Sequence, residues 1–127
     1  MARPFKLKIS DIFLKADAAM KAGQLQAPGR CRYRSDTGAP CVIGAAMTDA
    51  QAKRMDNVDT LGGATVAMLV EERNLLTIIE DVPGLSFSDV VRLQRAFDQD
   101  LNVPSKWQDV LASGVATVRA HFTKENV

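Results

Sequence analysis

Read for spacing alone, the chain breaks into apolar stripes separated by glycine, proline and capping residues. Ile12, Phe13, Ala16, Ala19 and Met20 recur on one helical face. Ser10 ahead of them can accept a bond from an unpaired first-turn amide, and Asp11 suits the positive helix end. Ile9 and Leu14 sit at the spacing of a hydrophobic staple, and Gly23 supplies a stop. The lead-in Phe5 to Ile9 alternates apolar and basic residues, which also suits a short strand.

Further on, Pro40 suits the first turn of a helix running through Cys41, Val42, Gly44 and Met47. Gly44 is a poor residue there, about 1 kcal/mol worse than Ala. Thr48 with Gln51 three residues on is a capping box, predicting a helix to about Met55. Leu61, Ala64, Met68 and Leu69 predict a helix reaching Asn74, weakened at its start by Gly62-Gly63. Leu75–Ile79 is an apolar run compatible with helix or strand, and Pro83-Gly84 breaks the chain. Ser86 or Ser88 caps a helix carrying Val90, Leu93, Phe97 and Leu101. After Pro104, Trp107, Val110, Leu111, Gly114, Val115, Val118 and Phe122 form the clearest stripe.

The expectation is a mostly α single domain over residues 1–127: a compact bundle of five or six helices. One irregular connection bearing arginines and glycines interrupts it, with a short β-hairpin near residues 30–40 as one form it can take. At 127 residues with 46% apolar and 6% aromatic residues, the chain is long enough to bury a core without staples. Two cysteines make no disulfide framework, and no leader or membrane-spanning run is evident, so a cytoplasmic setting without membrane contact is expected.

Net charge is +1, which gives no general case for nucleic acid, but its distribution is uneven. Residues 1–34 hold eight basic residues against Asp11 and Asp17, whereas the remainder is acidic on balance. Within that basic third, Arg30, Cys31, Arg32, Tyr33 and Arg34 alternate strictly. Extended, such a segment places Cys31 and Tyr33 on one side and three guanidinium groups on the other. Guanidinium groups fork onto carboxylate or phosphate, and a tyrosine can stack on a base or fill a pocket. Arg30, Arg32, Tyr33 and Arg34 are therefore the candidate partner-binding residues; in the plainer reading Cys31 and Tyr33 face the core behind an exposed basic edge.

Cys31-x-Tyr33-Arg34, Gly38 and Cys41-Val42-Ile43-Gly44 resemble a pattern in small proteins of phages and bacterial genomes. Those proteins carry C-x-Y-R, a glycine turn, C-A-I-G, and later a Leu-Gln-x-x-His-Asp element followed by Trp. Leu93-Gln94-Arg95-Ala96-Phe97-Asp98 and Trp107 are similar in order, with Phe97 in place of the histidine. The resemblance implies a phage or mobile-element context, where many small proteins bind and inhibit a host component. It implies no catalytic His-Asp pair here.

The other chemistry is sparse. Two cysteines without a C-x-x-C spacing and one histidine, His121, do not suggest zinc, and neither a metal nor a cofactor is expected. Cys41 beside a helix start and near arginines could be activated as a nucleophile, with His121 the sole candidate base. Glu71 with Glu72, and Asp98 with Asp100, do not share a helix face, so paired acid–base work is not indicated. No enzyme is expected. The primary expectation is a binding protein that inhibits or modulates a bacterial host protein, with an anti-defence role, such as blocking a CRISPR complex, as one form. Binding of nucleic acid or a nucleotide signal through Arg30 to Arg34 is the alternative, and a Cys41-dependent enzyme ranks third.

Overall fold

The computed structural model describes residues 5–25, 33, 40–57, 66–72, 74–99 and 104–125, without the side chains of 68, 72, 98, 99, 104–106, 124 and 125. Among these the chain is mostly helical, with one small parallel sheet. Strand β1 (Phe5–Lys8) runs directly into helix α1 (Ile9–Lys21). It pairs with β2 (Leu76–Ile79) in the register Phe5↔Leu76 to Lys8↔Ile79. The ambiguous apolar run thus becomes a strand because β1 offers it a partner.

That register decides how α1 begins. The helix starts at Ile9, and Lys8 at its cap makes no side-chain bond, so Ser10 is not the cap that its sequence position suggests. Residues two past each strand, Ser10 and Asp81, are brought side by side. The Ser10 N–H donates to Asp81 Oδ1 at 3.1 Å and the Ser10 hydroxyl to Oδ2 at 2.5 Å. A carboxylate from the distant strand end therefore satisfies the first turn and opposes its positive end. At the other end Gly23, with φ +68°, closes a Schellman motif: its N–H donates to Met20 and that of Gln24 to Ala19.

From Pro40 the expected helix does not form. The chain makes turns through Val42 and Ile43 and a single 3₁₀ turn at Gly44–Ala46. Only seven residues separate Pro40 from Thr48, and the capping box then claims the chain for α2 (Asp49–Asp56). The Gln51 N–H donates to Thr48 Oγ1 at 3.1 Å, and the Thr48 N–H to Gln51 Oε1 at 2.9 Å. The Arg54 guanidinium of α2 lies 6.0 Å above the Phe5 ring, setting this helix over the start of β1.

Before β2, residues Met68–Glu72 form a π-helical turn with Leu69 wholly buried. Asn74, at φ +53°, reverses the chain into the strand. Leu61 and Ala64, expected on this element, lie outside the described residues. After Pro83 and Gly84 (φ +91°) comes α3 (Phe87–Gln99); ahead of it the Ser86 N–H donates to Asp89 Oδ2 at 2.8 Å, and the Asp89 N–H donates to the Ser86 carbonyl at 3.0 Å. Pro104 then opens α4 (Pro104–Glu125).

Helix α4 is the spine. Phe13 of α1 meets Gly114, and Asp17 accepts from Arg119 at 3.3 Å, so α1 and α4 run parallel. A Cβ at Gly114 would lie 2.1 Å from Phe13 Cε1, so only glycine admits this ring. Phe97 of α3 stands edge-on to Trp107 at 4.9 Å and 83°. The core collects Ile9, Ile12, Phe13, Leu69, Val90, Leu93, Leu111 and Val118, each fully or almost fully buried. Phe122, expected on the buried stripe, is exposed at 37%. In parallel packing it falls beside the last turn of α1, which stops at Gly23.

Candidate functional site

Of the candidate contact residues, Arg30, Arg32 and Arg34 lie outside the described residues, as does Cys31. Tyr33 is described, and it is completely buried. This burial matches the plainer reading, in which the ring faces the core. Its N–H donates to Asp56 Oδ1 at 2.6 Å, and its carbonyl accepts from the Cys41 N–H at 3.3 Å. Its hydroxyl accepts from Gln94 Nε2 at 3.4 Å. One residue between two arginines in sequence is thus held at both its backbone and its side chain.

Gln94 is the residue that sequence reasoning passed over. Only 3% exposed, it donates to Tyr33 and accepts the Val66 N–H on Oε1 at 2.7 Å. One amide so ties α3 to the residue 33 segment and to the turn entering the π helix, with donor and acceptor both satisfied. A signal was available: with Val90, Leu93 and Phe97, Gln94 occupies a position of the apolar stripe. A polar residue on a buried face requires partners.

Cys41 is 1% exposed, and its Sγ accepts the Gly44 N–H at 3.2 Å inside the 3₁₀ turn. His121 sits on the last turns of α4, its ring 5.2 Å from that of Phe122. Among the described residues no group of three or more His, Cys, Asp or Glu side chains is placed to hold a metal ion. No described helix is long and apolar enough to cross a membrane.

Two grooves lined by described residues adjoin Phe87, which is half-buried at the start of α3. On one side an open groove of about 410 Å³ runs along β2, bounded by Val70, Asn74, Thr77, Ile78 and Glu80. Glu80 closes its end by accepting the Phe87 N–H at 2.7 Å. On the other side a groove of about 500 Å³ lies between Ala67 and Glu71, before and within the π-helical turn, and Val91, Arg92 and Arg95 of α3. Arg92 pairs with Asp89 at 3.1 Å.

Comparison with family models, with curated proteins and with solved structures returns no match to this chain.

Proposed function

We propose that this chain is a binding protein of phage or mobile-element type that inhibits or modulates a bacterial target by protein–protein contact in the cytoplasm. Arg30, Arg32 and Arg34 are its contact cations, and interference with a host defence complex is one form of the activity. The observation that supports this reading is the anchoring of Tyr33. A residue fixed through its N–H, carbonyl and hydroxyl lowers the ordering cost of engaging the arginines beside it in sequence. Forked guanidinium donors then suit an acidic protein surface.

Native mass spectrometry of the tagged chain recovered from bacterial lysate tests the proposal, alongside Arg32→Glu. The expected result is a co-purifying protein at fixed stoichiometry, depleted at least tenfold by the substitution. A nucleotide or oligonucleotide mass, with binding that falls steeply in salt, overturns it in favour of nucleic-acid recognition. The bare chain mass, or a complex that Arg32→Glu leaves intact, removes the protein-contact reading at this segment.

A further inference from the structure

Helix α3 carries two rows of side chains with different fates. Val90, Leu93, Gln94 and Phe97 are buried in the core and the junction. Phe87, Val91 and Arg95, each four residues from the next, form a second row that lines the groove of about 500 Å³. Phe87 and Val91 are only half-buried there, and Arg95 is exposed. The facing wall is also helical, over residues 66–72, and contributes Ala67 and exposed Glu71. The two walls therefore bear charges of opposite sign. Arg92 is already paired with Asp89, whereas Arg95 and Glu71 form no ion pair with each other or with any other described residue.

We infer that this groove receives an amphipathic helix of a partner protein, with a carboxylate on its flank towards α3 and a cation on its flank towards Glu71. A trough between two helical ridges suits a third helix, whose apolar residues at i and i+4 cover Phe87 and Val91. Ala67 reaches no further than its Cβ and leaves room for those anchors. One turn beyond them, a carboxylate on the incoming helix meets the Arg95 guanidinium, which offers it forked donors. The opposite signs of the two walls fix which flank must be acidic, so a reversed helix is rejected by like charge on both sides. The inference rests on reading this chain as a protein-binding module, and not on the arginines beside Tyr33.

Panning a displayed library of helical peptides against the whole chain tests this, with the enriched peptides then synthesised and titrated. They should carry apolar residues at i and i+4, a carboxylate on one flank and a lysine or arginine on the other. Titration should move the amide resonances of Ala67, Phe87 and Val91. Arg95→Glu, at an exposed site where the fold persists, should raise the dissociation constant at least about tenfold. Exchanging the peptide's carboxylate for lysine should restore binding to that variant. No enrichment, or enrichment of extended or uncharged sequences, overturns the inference, as does binding that Arg95→Glu leaves intact. Self-association that Arg95→Glu abolishes would give the groove to a second copy and overturn it too. Peptides lost with Arg32→Glu but kept with Arg95→Glu would place the contact beside Tyr33 instead. A chain that recovers no host protein from lysate yet binds these peptides through Arg95 loses the earlier reading and keeps this one.

Discussion

The seam between α1 and α4 and the junction around Gln94 both bury their contacts, yet they hold the molecule by different physics. At the seam a missing side chain is the device: Gly114 leaves the space that the Phe13 ring fills, and an ion pair from Asp17 to Arg119 closes the margin. At the junction one polar side chain is the device, and its value lies in two hydrogen bonds to segments 28 and 61 residues away. The seam is non-directional and sensitive to volume. The junction is directional and sensitive to chemistry. The difference teaches where specificity enters: apolar packing chooses which helices meet, and the amide fixes which irregular segments lie against them.

The seam should give the largest effects. Phe13→Ala empties a fully buried ring site and is expected to cost about 4 kcal/mol in urea unfolding. Gly114→Ala drives a methyl into that ring and should cost about 2 kcal/mol. Combined, the two should be far from additive, because without the ring the alanine meets little and is about 1 kcal/mol better than glycine in a helix. Additive costs would show that the glycine serves some purpose other than admitting Phe13.

A smaller and chemically different effect is expected at the junction. Gln94→Met keeps the length and apolar volume but leaves the Val66 N–H without its acceptor, and the Tyr33 hydroxyl without the Gln94 amide. The expected loss is about 2 kcal/mol, with faster exchange of the Val66 amide. A neutral substitution would erase the contrast drawn above, since the junction would then be held by packing alone.

Much of this was legible in the sequence where periodicity or capping chemistry carries the signal. The stripes of α1, α3 and α4, the Thr48–Gln51 box and the break at Pro83-Gly84 all stand where spacing puts them. Phe122 shows the limit of that logic, because a stripe states which face is apolar and not how far the neighbouring helix runs. Leu76–Ile79 was undecided because a four-residue apolar run has no period of its own to reveal, and its strand state follows from β1. In the candidate site, alternation marked Tyr33 as facing opposite to its neighbours but left open which side was the interior. The answer lies with Asp56, Cys41 and Gln94, none of them local to it.

Asp81 gives the finest test, since it couples sheet register to helix start. Its two oxygens receive the N–H and hydroxyl of Ser10 only because Lys8 lies opposite Ile79. Asp81→Ala should cost about 1 kcal/mol, the usual worth of a helix cap, and speed exchange of the Ser10 amide. Ser10→Ala removes only the hydroxyl and should cost less. Asp81→Asn keeps an acceptor for the amide and loses the charge facing the helix end, so it should fall between no change and the alanine value. If instead Asp81→Ala is silent, α1 must be started by the continuity of β1 alone. The sheet would then define where the helix begins without contributing to its stability through the distant strand.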